Sequence, residues 1–240
     1  MTDTRKVALV TGGNKGIGFE AARQLAQLDH RVVIGARDQH RGQAAAEQLQ
    51  SEGAEASYVV LDVSAHDTVT AAIAVIEQQY GRLDVLINNA GTAPTEGAPS
   101  EVALDTLRDT YETNVFGLVA VTQAALPLLR RAVAGRIVNL SSGAGSLTVV
   151  SGPDWRPEWN GLAYNTSKSA VNAVTVAFAT ELRATPIKVN AVNPGYTRTD
   201  MSPGADRPAS AGAAVVVRYA TLPADGPTGG FFDENGPVAW

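Results

Sequence analysis

The sequence predicts one α/β domain built on a doubly wound parallel sheet. Three observations carry this. Short apolar runs alternate with helix-patterned stretches from the first residues onward, a rhythm that implies parallel strands, helices on both faces and right-handed crossovers. A glycine-rich turn, Thr11-Gly12-Gly13-Asn14-Lys15-Gly16-Ile17-Gly18, stands where the first apolar run gives way to the first helix. The 240 residues are 45% hydrophobic, with no repeat of solenoid length and no domain linker, which suits one large core over residues 1–240.

The elements follow in order. Lys6–Thr11 is a short apolar run stopped by glycine, as a strand buried on both faces reads. Ile17–Leu28 places Ala21, Leu25 and Leu28 at helical spacing. Arg31–Ala36 is the second strand, and Gln39–Glu52, rich in Ala, Gln and Glu, the second helix. Ala56–Leu61 is the third strand, His66–Tyr80 the third helix and Leu83–Asn88 the fourth strand. A helical pattern runs over Leu104–Val133, with Pro127 expected to break it. Arg136–Leu140 is the fifth strand, Leu162–Ala184 a long helix, Lys188–Val192 the sixth strand and Ser210–Leu222 a short helix. Gly229-Gly230-Phe231-Phe232 reads as a last edge strand. Two loops, 146–161 and 197–208, follow the carboxyl ends of strands, where open sheets bind ligands. The first carries Pro153, Trp155, Pro157 and Trp159. Its tryptophans either wall a substrate pocket or pack the loop onto the body.

Composition excludes several functions. Charged residues are 18% and the net charge is −5 with no basic run, which argues against nucleic acid as a partner. The absence of cysteine removes disulfides, thiolate catalysis and cysteine–zinc sites. His30, His40 and His66 lack metal-ligand spacing and read as ordinary surface or helix-edge residues, so no metal is expected. Met1 to Lys6 is polar and Val7-Ala8-Leu9-Val10 is too short for a signal peptide. No apolar stretch is expected to reach the roughly 20 residues that span a bilayer. The expectation is a soluble cytoplasmic protein without a membrane partner.

The glycine turn has the spacing G-xxx-G-x-G. Gly12 permits the tight turn, Gly16 lets the backbone approach a phosphate, and Gly18 lets the helix pack closely on the strand. Free amides at the helix start, with Asn14, Lys15 and Ile17 around them, then face a pyrophosphate. At the end of strand two an acidic residue would accept from a ribose hydroxyl. The chain has Gly35-Ala36-Arg37-Asp38 instead. Arg37 and Arg41, with Lys15 adding charge, can pair with a 2′-phosphate, which points to NADP(H); Asp38 falls one position late for the NAD pattern. Asp62, followed by Val63, either accepts from an adenine amino group or caps the next helix beside Ser64 and Asp67. In Asn88-Asn89-Ala90-Gly91 the small residues leave room for a cofactor and the amides can brace the backbone.

Four side chains form a candidate catalytic set: Asn114, Ser142, Tyr164 and Lys168. Tyr164 and Lys168 stand at i and i+4 and share a helix face. A free phenol has a pKa of about 10. A neighbouring ammonium favours the phenolate and lowers that value, which makes Tyr164 a general acid with an activator. Ser142 can hydrogen-bond a substrate carbonyl. Asn114 is a lone amide in the apolar stretch Thr113–Val121 and needs a partner.

Together these residues resemble the short-chain dehydrogenase/reductase family over essentially the whole chain. The phrases Thr11–Gly18, Ala36-Arg37-Asp38, Arg41-Gly42-Gln43-Ala44-Ala45 and Thr113-Asn114-Val115-Phe116-Gly117 are most similar to its carbonyl reductases. The resemblance implies a Rossmann-like sheet of about seven strands in the order 3-2-1-4-5-6-7. It implies NADPH-dependent reduction of a small ketone or aldehyde, reversible as alcohol oxidation, with hydride from nicotinamide C4 and a proton from Tyr164. Ser142 would polarise the carbonyl, Lys168 would hold the nicotinamide ribose, and Asn114 would hold a water in a proton relay. Pro194, Gly195 and Thr197 would contact the nicotinamide carboxamide. Asp29-His30 stands where the family often has glycine before strand two, which should strain that turn slightly. The segment between Ser142 and Tyr164 is shorter than in the animal carbonyl reductases, which leaves monomer and homodimer both open and makes the pocket wall non-transferable. Two rival readings are an NAD-dependent alcohol dehydrogenase of the same family and a catalytically silent nucleotide sensor. The intact catalytic set argues against the second.

Overall fold

A computed structural model describes residues 5–156 and 159–240; Pro157 of the first loop lies outside the described residues. Eight strands form one sheet in the order β3-β2-β1-β4-β5-β6-β7-β8. They are β1 Val7–Thr11, β2 Arg31–Ala36, β3 Ala56–Val60, β4 Val85–Asn88, β5 Arg136–Leu140, β6 Lys188–Val192, β7 Phe231–Asp233 and β8 Gly236–Pro237. The helices are α1 Gly16–Gln27, α2 Gln39–Ser51, α3 His66–Tyr80, α4 Leu104–Tyr111, α5 Gly117–Leu129, α6 Leu147–Val150, α7 Leu162–Glu181 and α8 Ala209–Ala220.

Every residue of β1 and of β5 is buried, because helices cover both faces of these central strands. Alternate residues serve two cores. Ala8 and Val10 pack with α1, α2 and α8 on one face, while Val7 and Leu9 pack with α3, α5 and the end of α7 on the other. β1 pairs in parallel with both β2 and β4, so the chain's winding reverses between β1 and β4. That switch point leaves a crevice at the carboxyl ends of the strands.

Four expectations need correction. The sheet has an eighth strand: Gly236–Pro237 returns antiparallel to β7 through a turn in which the Asp233 carboxylate accepts from the Asn235 amide at 2.7 Å. Two residues are too few to leave a periodic signal. Second, Pro127 does not break its helix. It lies in the last turn of α5, where the lost backbone donor is offset by burial of Leu126, Leu128 and Leu129. The discontinuity is instead a π-helical turn at Glu112–Phe116, which separates α4 from α5 and carries Asn114. Third, the helical run Leu104–Leu129 is long and apolar enough by composition to cross a bilayer, although more than half of its most apolar stretch is buried inside the domain. Fourth, His30 is not a surface residue: it is buried beyond the end of α1, its Nδ1 3.0 Å from the Leu28 carbonyl oxygen. Beside it, Asp29 takes φ +60°, the left-handed region where glycine would be at ease.

A buried amide chain ties the site-bearing strands to their helices. Asn88 Nδ2 donates to Thr122 Oγ1 on α5 and to Asn139 Oδ1 on β5, each at 2.9 Å, and Asn139 Nδ2 donates to Thr175 Oγ1 on α7 at 2.9 Å. A buried polar group stripped of its partner costs about 1–3 kcal/mol. Asn139→Ala should therefore lower stability by roughly 2–4 kcal/mol, counting the added cavity, read as a drop in chemical-denaturation ΔG. A loss under about 0.5 kcal/mol would show that the chain of amides carries no net stability.

Candidate active site

A cavity of about 1530 Å³ opens at the crevice. All the candidate site residues except Gly18 and Asn114 line it. The fold adds residues that sequence reasoning missed, among them Ser64, Thr92, Asp109 and Asp200. They sit on loops and in α4, in no motif; only folding brings them to the wall.

The β1–α1 turn fits a pyrophosphate. Gly12 and Gly16 have φ of +61° and +58°. At the N-terminus of α1 no side chain caps the amides and no acidic residue occupies the first turn, so the positive end of the helix faces the cavity unopposed. Gly18 is a point of close packing: a Cβ there would fall 2.4 Å from Asn89 Nδ2 and 2.8 Å from the Gly12 carbonyl oxygen, so the missing side chain lets α1 sit against the turn and makes room for Asn89. Asn89 Nδ2 donates to the carbonyl oxygens of Thr11 at 2.8 Å and Gly12 at 3.1 Å.

On the β2 side, the exposed Arg37 and Arg41 line the cavity. Asp38 between them caps α2, its Oδ1 accepting from the Arg41 amide at 2.9 Å, and that bond holds its carboxyl below the usual range. Lys15, which also lines the cavity, forms an exposed ion pair with Asp200 of the 197–208 loop, and this lowers the pKa of Asp200. Asp62 does not cap α3, whose N-cap is Ala65. Its Oδ1 accepts from the Ser64 amide and hydroxyl at 3.0 and 2.6 Å, holding the carboxylate at the cavity wall beside Val63.

Ser142 follows β5, and Tyr164 and Lys168 lie in the first two turns of α7. The turn at Gly143–Gly145 is clamped to α7: the Gly145 carbonyl oxygen accepts from Ser169 Oγ at 3.0 Å and Asn172 Nδ2 at 3.1 Å. This sets Ser142 beside Tyr164 on the cavity wall. Burial pushes the Tyr164 phenol above its ordinary pKa, opposed by the nearby Ser142 hydroxyl. The expected downward pull by Lys168 does not set the direction. The Lys168 Nζ is 5.6 Å from the Tyr164 ring centroid and donates to the Leu140 carbonyl oxygen at 2.9 Å. Burial pushes the Lys168 ammonium down to about 8.

Asn114, 1% exposed, stands behind this wall. Its Oδ1 accepts from the Thr92 amide at 2.8 Å, and its Nδ2 donates to the Thr92 carbonyl oxygen at 2.9 Å and to Ser167 Oγ at 3.0 Å. The lone amide has found its partners, and both Nδ2 hydrogens are taken. Across the cavity, Trp155 and Trp159 meet edge to face with centroids 5.5 Å apart, and both line it. Pro194, Gly195 and Thr197 form the wall after β6, where Thr197 Oγ1 donates to the carbonyl oxygens of Pro194 and Gly195 at 3.1 and 3.0 Å.

Comparison with known proteins agrees with this geometry. The short chain dehydrogenase family profile matches residues 6–209. Carbonyl reductase (NADPH) 1 of Bos taurus is 34% identical, with 100% of each chain covered. Salutaridine reductase of Papaver bracteatum is 34% identical over 95% of this chain and 94% of the relative. Among solved structures, an NADPH-bound carbonyl reductase from chicken fatty liver superposes with a TM-score of 0.86 at 28% identity, covering 98% of this chain and 99% of that one. A glycine turn at the switch point, a serine after β5 and a Tyr-xxx-Lys pair on the next helix, within a profile match over most of the chain, place this protein in the short-chain dehydrogenase family, as an oxidoreductase acting on carbonyl or alcohol groups.

Proposed function

We propose that the protein reduces the carbonyl group of a small ketone or aldehyde with NADPH. The observation that carries this is the convergence of Ser142, Tyr164 and Lys168 on a cavity whose β2 side presents Arg37 and Arg41. In this reading the turn at Gly12–Ile17 holds the pyrophosphate and the two arginines hold the 2′-phosphate. Asp62 and Val63 border the adenine, and Asn89, Ala90 and Gly91 floor the cleft. Pro194, Gly195 and Thr197 meet the nicotinamide carboxamide, and Lys168 meets its ribose. The bound cofactor supplies a hydride from C4.

The residues do the rest. Ser142 donates to the carbonyl oxygen and fixes its direction. Tyr164, kept protonated by burial, gives its proton to that oxygen as the carbon is reduced. The phenolate left behind is stabilised by the Lys168 ammonium. Asn114 contributes by anchoring Thr92 and Ser167; with both Nδ2 hydrogens taken, a relay water at this side chain would have Oδ1 to bond, whose second lone pair is open. The loops 146–161 and 197–208 form the substrate side, with Trp155 and Trp159 as an aromatic wall.

Tyr164→Phe keeps the ring and removes the proton. Turnover should fall by about 10²–10⁴ while NADPH still binds. Retention of more than roughly a tenth of the rate would remove Tyr164 from the acid role. Arg37→Ala should weaken NADPH by about ten- to a hundredfold, the worth of a charge-assisted hydrogen bond, and leave NADH nearly unchanged; equal weakening of both would mean that Arg37 does not read the phosphate. The third expectation concerns pH. Lys168 has its pKa lowered to about 8, so it is charged below that pH and neutral above it. The kcat/KM for NADPH, which reports the free enzyme, should therefore decline as pH rises through about 8. A flat profile from about pH 7 to about 9.5 would show that the ammonium is not needed.

A further inference from the structure

The candidate acid occupies a vulnerable place. Leu162, Ala163 and Tyr164 are the first three residues of α7. First-turn amides have no partner within their own helix and fray unless capped. The N-cap position is Gly161, which offers no side chain. The cap comes from far away in sequence. Glu96, in the loop after β4, lays its carboxylate across the helix start: Oε2 accepts from the Ala163 amide at 2.9 Å and Oε1 from the Tyr164 amide at 3.0 Å. Glu96 is partly buried, while its neighbours Thr95 and Gly97 are exposed.

The same loop is tied to the same turn a second time. Thr92 is held by Asn114, Asn114 donates to Ser167 Oγ, and Ser167 Oγ donates to the Tyr164 carbonyl oxygen at 2.7 Å. Both backbone polar groups of Tyr164 are thus fixed by side chains, the amide by Glu96 and the carbonyl by Ser167. Carboxylate–amide bonds are charge-assisted, and a negative charge at a helix N-terminus is stabilised by the helix dipole.

We propose that Glu96 is a positioning residue for the reduction: by capping α7 at Ala163 and Tyr164 it sets where the phenol stands relative to Ser142 and the substrate carbonyl. The inference rests on the reading of Tyr164 as the acid.

The test compares turnover with backbone order in wild type, Glu96→Gln, Glu96→Ala and the double variant E96A/G161D. Gly161 has φ −101° and ψ 117°, suited to an N-cap of any residue type, and a Cβ there points at the place of Glu96 Oε1, 3.3 Å away. An aspartate at 161 can therefore replace the lost cap locally. Misplacing a reacting group by about 1 Å costs on the order of 10²-fold. Glu96→Ala should lower kcat by about ten- to a hundredfold, leave the NADPH Kd within about twofold, and speed hydrogen exchange at Ala163 and Tyr164 by roughly fivefold. Glu96→Gln, which keeps one acceptor oxygen, should fall between. In the double variant kcat and exchange should recover together. Turnover that tracks exchange across the four proteins supports the proposal. Turnover within about twofold of wild type in Glu96→Ala, or turnover and exchange moving independently in any variant, overturns it. Tyr164→Phe run alongside separates the two ideas: full activity in that variant sinks the acid assignment, whereas its inactivity beside a fully active Glu96→Ala sinks only the role of Glu96.

Discussion

The site depends on one seam, the hydrogen bonding that stitches the end of β1 to the end of β4. Thr11 Oγ1 donates to the Ile87 carbonyl oxygen and accepts from the amides of Asn89 and Ala90 at 3.0 Å each, while Asn89 Nδ2 returns to the carbonyls of Thr11 and Gly12. These are the two strands between which the winding reverses, so the crevice would splay without the seam. Gly18 lacks a side chain because Asn89 occupies the space one would need. The turn that faces the crevice keeps its shape from behind, through backbone groups already satisfied before any ligand arrives.

A second set of constraints brings three distant stretches to one wall. The turn after β5 is pinned to α7 through the Gly145 carbonyl, α7 is pinned to β5 through Lys168 and Leu140, and the loop after β4 is pinned to the first turn of α7 through Asn114 and Glu96. The interior then acts on the charges. Burial raises the Tyr164 pKa and lowers that of Lys168. Near neutrality this gives a phenol that holds its proton beside a lysine still charged, the protonation state a carbonyl reduction starts from.

The parts of the fold that were legible in the sequence are those fixed by local chemistry. The apolar runs of β1, β2, β5 and β6 read directly as strands because each is buried on both faces and bounded by turn residues. The errors lie where neighbours override local preference. Pro127 is absorbed because its helix is nearly finished and its apolar neighbours are buried, and the break falls at Glu112–Phe116, which itself holds no proline or glycine and is followed by Gly117. His30 gives no sign of burial in a polar sequence context, yet the packing beyond the end of α1 encloses it.

The sequence by itself determined the chemical inventory and its order: a glycine turn after the first strand, arginines after the second, an Asn-Asn-Ala-Gly end to the fourth, a serine after the fifth and a Tyr-xxx-Lys pair on the following helix. These are short-range facts, because a turn or a helix face is set by residues within a few positions of one another. Only the tertiary structure decided what each group spends its bonding capacity on. It pairs Lys15 with Asp200, gives Asp38 to a helix cap, takes both Nδ2 hydrogens of Asn114, and brings Glu96 to the amide of Tyr164 across 68 residues of chain. The physical reason is that a hydrogen bond reaches about 3 Å in space regardless of separation along the chain, so no pattern in the sequence records which donor will meet which acceptor.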